Sequence, residues 1–306
     1  MKRLVITLIA VFAACLVGPG AARAGTTMWV VDNDRMDCPR ADFTSVQAAV
    51  TAASPGDTIL VCEGTYHERV LIAKNDLTLR AKGAPSDVVV DADNLGHALH
   101  ISGASGVTIE GFMVQHGHDN DIQLTNASRN TIRKNLLTAA HHDGIELLNA
   151  DDNLIEQNVS FDNFGANACG INLSAGSERN LVRHNTVRNN EWGIQIFGSN
   201  DNVIFDNEAV GNRGNGIRNV VGSSRTVIDG NRVFHNGFTP HPVLTDGTNG
   251  GIRLATGTGL VVERNHAFDN LAVDIRQEAA VATFENNHCN TSLPPGICEH
   301  DEGNGH

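Results

Sequence analysis

The chain has 306 residues, of which 41% are apolar, 5% aromatic and 19% charged, and its formal net charge is −13. So acidic a balance argues against nucleic acid and anionic membranes as partners, because both repel a negative surface. No linker or shift of composition divides the chain, so it reads as one domain.

Taken in order, Met1-Lys2-Arg3 precedes an apolar run from Leu4 to Val17 and then Ala22-Arg23-Ala24. A positive start, an apolar middle and small residues before a cut predict a secretory signal over 1–24, removed after Ala24. The run is too short for a comfortable membrane span. Phe12-Ala13-Ala14-Cys15 offers the competing reading, a lipoprotein attachment box. Both readings place the mature protein outside the cytoplasm, secreted or periplasmic. Removing Lys2, Arg3 and Arg23 takes the charge to about −16 and leaves five cysteines. In an oxidising compartment Cys38 pairs with Cys62 and Cys289 with Cys298, one staple at each end. Cys169 is left over and reads as a small buried hydrophobe, with a reactive thiol as the alternative.

Residues 25–56 form an N-terminal cap. Thr44 or Ser45 caps a helix from Val46 to Ala53, and Pro55-Gly56 stops it. Such a helix covers the open apolar end of the strands beyond Gly56. Those strands are short apolar segments, at Thr58 to Val61, Gly64 to Tyr66, Leu77 to Leu79, Val88 to Val90, Leu99 to Ile101 and Val107 to Ile109. They lead into a text that repeats itself. Ile122, Ile145, Ile171, Ile194, Ile217, Ile252 and Ile275 are separated by steps of 23, 26, 23, 23, 35 and 23. Asn135, Asn158, Asn185, Asn207, Asn231, Asn265 and Asn287 recur behind them, and Asn163, Asn190, Asn212, Asn236 and Asn270 form another series. Self-similarity on this scale means stacked units that cannot bury an apolar face alone. Strands of three to five residues, rich in Val and Ile, exclude a helical repeat. The recurring asparagines predict a ladder of side-chain amides bonded from coil to coil at a turn. The solenoid occupies 57–290, the step of 35 marks a loop from Phe238 to Gly250, and 291–306 are a C-terminal tail.

On these repeats the chain resembles the right-handed parallel β-helix proteins of the pectin-lyase-like superfamily, with units like those of NosD-type and alginate-epimerase-type members. The resemblance covers about Asp42 to Asn290. It implies an all-β, single-stranded right-handed parallel β-helix with an N-terminal capping helix. Such solenoids carry lyases, hydrolases, esterases, epimerases and proteins with no reaction, so fold alone does not choose. The Asp-Pro-His motif of the epimerase-like families is absent, and the only tyrosine is Tyr66 in the first coil.

Function therefore has to be read from the files of side chains that stacking creates. The middle residue of each Ile-x-Leu strand points outward, giving His100, Gln123, Glu146, Asn172, Gln195, Arg218, Arg253 and Arg276. Stepping by 23 also sets His118 on His141, Asp119 on His142 and Asn120 on Asp143, with Asp121 beside Glu146 and with His116 and Asp93 nearby. His118, Asp119, Asp121, His141, His142, Asp143 and Glu146 are the candidate catalytic residues. Carboxylates on neighbouring coils suit acid–base work on a glycosidic bond, and an imidazole suits proton abstraction. The same groups could instead hold a cation, Ca²⁺ where carboxylates dominate and Zn²⁺ or Cu²⁺ where imidazoles do. Polar turns also collect such residues for solubility alone.

Gln123, Asn172, Trp192, Gln195, Arg218, Arg253 and Arg276 are the candidate substrate-binding residues. Stacked guanidinium groups suit uronate carboxylates, or form a solvated face with Asp246, Asp274 or Glu278 as counter-ions. Trp192 is either a sugar platform or a core aromatic. Two functions fit these residues: an extracytoplasmic enzyme on polysaccharide, open between lyase, epimerase and hydrolase, or a non-catalytic solenoid that binds glycan or metal.

Overall fold

The computed structural model describes residues 26–238 and 249–299. The signal segment with Ala24 and Cys15, residues 239–248 of the expected loop, Asp246 with them, and 300–306 lie outside the described residues. Three parallel sheets of eleven, ten and ten strands run the length of the molecule. The chain visits them in turn, as at Thr58–Val61, Gly64–His67 and Val70–Ile72, before returning to the first sheet at Thr78–Ala81. The first sheet begins one strand earlier, at Met28–Val31, which pairs with Thr58–Val61.

Each coil owes its place to buried apolar files. On the first sheet Ile109, Ile132, Ile155, Val182, Ile204, Ile228 and Val262 stand in register and are all fully buried. On the third sheet the seven expected isoleucines stack one upon the next, and Ile217 pairs directly with Ile252 across the long step. Such burial is worth about 1.5–3 kcal/mol per side chain, and no coil gains it without its neighbours.

The corners are tight. Between the first and second sheets the bend falls on one left-handed residue, including Lys134, Gln157, His184, Asp206, Arg264 and Asn286, each directly before a ladder asparagine. A non-glycine residue there costs roughly 1–2 kcal/mol, and the ladder offsets it. Asn135 donates to Asn158 at 3.0 Å, and the same bond repeats through Asn185, Asn207, Asn231, Asn265 and Asn287. The second expected series also bonds end to end, from Asn163 to Asn270. A third ladder, Asn130, Asn153, Asn180 and Asn202, lines the corner ahead of the first sheet. Its signal was present in the sequence, since each member stands five residues before a member of the first series.

The helix spans Val46–Ala52 with Ser45 as its N-cap. Glu68 accepts from Ser45 Oγ and from the amides of Val46 and Gln47, so the cap is tied to the first coil. Val46, Ala49 and Val50 turn inward over the core. Cys38–Cys62 and Cys289–Cys298 are paired, with Cα separations of 6.4 and 5.4 Å, at the two ends of the stack. Cys169 is free and buried, and burial pushes its thiol well above the usual range, which leaves it a packing residue. Among the described residues no helix is long and apolar enough to cross a membrane.

Candidate functional site

The outward file of the third sheet is in the expected register: His100, Gln123, Glu146, Asn172, Gln195, Arg218, Arg253 and Arg276 are successive partners. The face they share is not flat. A hollow of about 350 Å³ opens on it, with His142, Glu146, Asn172, Ser174, Gln195 and Arg218 in its lining.

Glu146 is half-buried there. Its Oε1 accepts from Ser174 Oγ at 2.8 Å and its Oε2 from Asn120 Nδ2 at 2.9 Å. Burial, with the Asp143 carboxylate nearby, raises its carboxyl above the ordinary range. His142 Nδ1 lies 3.0 Å from Asp143 Oδ2. That hydrogen bond raises the imidazole above its usual value against the opposing effect of burial. Asp143 is fully buried and oriented by its neighbours: Cys169 N and Asn172 Nδ2 both donate to it. The Asp143–His142 pair is thus a buried carboxylate aiming an imidazole at the hollow in which Glu146 stands. Gln195 Nε2 donates to Asn172 Oδ1 and continues the network.

Arg218 closes the far side. Its guanidinium lies over the Trp192 ring, 4.1 Å from the centroid, a desolvated cation–π contact worth about 2 kcal/mol. Its Nε is buried with no hydrogen-bond partner, and burial lowers its pKa from the usual arginine value. Among the described residues it forms no ion pair with a carboxylate, so its charge faces the hollow.

Several expected site residues fall elsewhere. Asp121 does not stand beside Glu146. It occupies the position that Gly144, Gly170, Gly193, Gly216 and Gly251 hold in later coils, where a Cβ would strike neighbouring backbone or side chains. Its fully buried carboxylate turns inward to accept from Gly117 N, and Oδ2 meets no donor. His118 and His141 stack on each other as expected, with centroids 5.3 Å apart and planes within 7°, and Phe164 continues their file. That file does not line the hollow. Asp119 belongs to a neighbouring hollow. Gln123 is buried, with its amide engaged by Asn120 and Leu124. Trp192 is no sugar platform: it is 1% exposed and lies beneath Arg218 and against Gly214.

The three arginines are not an uncompensated stripe. Glu278 holds Arg253 through two bonds of 2.9 and 3.0 Å. Arg276 comes next in register, outside the hollow. Asp274 is not a surface counter-ion, since it is buried and accepts from Asn270 and Thr291. Nor do the candidate catalytic residues gather as cation ligands. Among the described residues, the groups with three ligand atoms within 4.8 Å of one another are His67, Asp91 and Asp93, and Asp32, Asp34 and Asp37.

Asp121 gives a test that is independent of activity. Burial raises its folded pKa well above the unfolded value. Its contribution to stability is therefore complete below the unfolded pKa and is lost as pH rises through the folded one. Asp121→Asn is expected to remove that loss, so its midpoint of urea unfolding should exceed the wild-type value at pH 8 and approach it near pH 4. A constant offset between the two proteins across that range would show that Asp121 does not titrate as described.

The family described as right handed beta helix region matches residues 88–233. Solved structures extend the match to nearly the whole chain. An alginate lyase from Paenibacillus sp. str. FPU-7 superposes with a TM-score of 0.67 at 16% identity, over 90% of this chain and 98% of that one. The chain is a right-handed parallel β-helix protein of the pectin-lyase-like fold. Pectate lyase Pel9A shares this β-helix with a TM-score of 0.57 at 18% identity, over 89% of this chain and 70% of the other. The A-module of the Azotobacter vinelandii mannuronan C-5 epimerase AlgE4 gives 0.53 at 14% identity, over 81% and 82%. No curated protein matches the sequence significantly. At these identities the likeness is one of fold, and the chemistry must be argued from the β-helix face itself.

Proposed function

We propose that the protein acts on an acidic polysaccharide outside the cytoplasm, by abstracting the C5 proton of a uronate residue. The observation that carries this is the meeting, in one hollow, of Glu146, His142 and the unpaired Arg218. Arg218, three strands from Glu146, takes a carboxylate of the acidic chain and holds that chain along the sheet face. Glu146, with its raised carboxyl, takes the proton as general base. His142, kept protonated by Asp143, is the acid. In elimination the C5–H electrons form the C4–C5 double bond, the C4–O4 bond breaks, and O4 leaves with the proton from His142. In epimerisation the C4–O4 bond stays intact and C5 instead receives the proton of His142 on the opposite face, with Glu146 left protonated and both groups reset by exchange with water.

Hydrolysis fits less well, because it needs a pair of carboxylates flanking the bond and Glu146 is the one that lines the hollow, Asp143 being buried beneath. The names of three structural relatives specify alginate, pectate and mannuronan, which agrees with a uronate substrate. Two disulfides and the signal-like start agree with an oxidising compartment.

The test is incubation with alginate, polygalacturonate and neutral glycans in deuterated water. Deuterium at C5 of a uronate, or ultraviolet absorbance from a new double bond, is expected on one acidic polymer. New reducing ends without unsaturation would identify a hydrolase instead. Binding without any product would leave a non-catalytic glycan-binding solenoid.

A further inference from the structure

The same sheet face carries a second hollow, of about 410 Å³, lined by Arg69, Leu71, Gly96, His97, His100 and Asp119. We infer that Arg69 is a distal anchor for a second uronate carboxylate, so that the face holds a sugar chain of about six residues with Glu146 at its middle. This inference rests on the proposed roles of Glu146 and Arg218, and it adds the length of substrate and the position of attack.

The register supplies the ruler. Leu71, His100, Gln123 and Glu146 are successive partners, and so are Glu146, Asn172, Gln195 and Arg218. Glu146 therefore stands three strands from each end. At roughly 4.8 Å per strand the span is about 29 Å, and a pyranose ring advances a chain by about one strand spacing. The two hollows adjoin, since His142 N donates to Asp119 O at 2.9 Å and His142 lines one while Asp119 lines the other.

Arg69 is suited to the role. It makes no ion pair or side-chain hydrogen bond among the described residues. Its Nη1 lies over Gly96, 3.1 Å from where a Cβ would stand, in a left-handed turn with φ of +52°. The bare backbone of Gly96 thus lets the guanidinium lie down into the hollow. His97 and His100 meet edge to face, with centroids 5.1 Å apart, and burial lowers the pKa of both. As neutral rings they offer hydrogen bonds to hydroxyls and do not compete for the carboxylate. Asp119 turns Oδ1 toward His118, 3.5 Å away, and its Oδ2 lies 4.0 Å from the same Cβ position over Gly96 without forming an ion pair with Arg69.

The experiment is calorimetric titration of the full-length mature protein carrying Glu146→Gln, to prevent turnover, with trimers and heptamers prepared from alginate and polygalacturonate. The heptamer should bind about tenfold more tightly than the trimer, the scale of one charge-assisted contact. Adding Arg69→Ala should abolish that advantage and leave the trimer unchanged, whereas Arg218→Ala should weaken both. Arg69 is exposed, so its variant keeps the fold. A heptamer advantage that survives Arg69→Ala, or equal affinity of the two lengths for the parent, would overturn the inference and leave the reading of the Glu146 hollow intact. Failure of every uronate oligomer to bind would remove both.

Discussion

Alanine in place of Asn207 is expected to cost about 3–6 kcal/mol of stability, since it orphans several buried polar groups at 1–3 kcal/mol each. Asn207 Nδ2 donates to Val182 O at 2.9 Å and to Asn231 Oδ1 at 3.0 Å, while its Oδ1 accepts from both the backbone and side-chain nitrogens of Asn185 at 3.0 Å. At 2% exposure the site is closed to water that would replace these bonds. Asp206, directly before it, keeps its left-handed backbone with φ of 50° and loses the contact that compensates it. The lesion also lies mid-stack, where each coil depends on the next. Urea unfolding should therefore show a lower midpoint and a broader transition than the wild type. A midpoint within experimental error of wild type would mean that the ladder follows from the coil geometry and does not hold it.

The ladder was legible because one spacing carries both its chemistry and its place. An amide that recurs at the step of the coil must meet its copies, whatever the rest of the coil does. The same step sets Glu146 between Gln123 and Asn172 and Arg218 between Gln195 and Arg253, all as found. Register did not tell which side chains the turns ahead of those strands would cover. Asp121 and Gly144 are equivalent in step, yet only a glycine or an inward carboxylate fits where the second ladder packs behind. Asp143 reads as a surface acid by spacing, but Cys169 N and Asn172 Nδ2 draw it under the strand. Trp192 precedes its glycine just as Cys169 does, and that alignment with a buried thiol was the sign in the sequence that its ring would be covered. Only packing between turns showed that Arg218 lies on that ring.

The largest expected effect on activity comes from Glu146→Gln, whose side chain of the same size can accept from Asn120 through its oxygen and donate to Ser174 Oγ through its nitrogen, and which removes the base. A loss of about 10²–10⁴-fold in kcat is expected, the usual worth of a positioned proton acceptor. Asp143→Asn separates orientation from charge. In the wild type, activity should rise as Glu146 ionises, above the ordinary carboxylate range because its carboxyl is raised. It should fall again as His142 gives up the proton that Asp143 helps it keep, above the ordinary histidine value. Asparagine at 143 removes the carboxylate that lies 3.0 Å from His142 Nδ1, so the alkaline limb should move to lower pH, and the acid limb should move the same way because Asp143 also helps raise Glu146. The check is the pH profile of kcat on whichever uronan gives product. An alkaline limb that stays in place in Asp143→Asn, with Glu146→Gln inactive, would keep Glu146 as the base and assign the acid to another group. Asp143 would then serve the fold, through its bond to Cys169 N, and not the proton transfer.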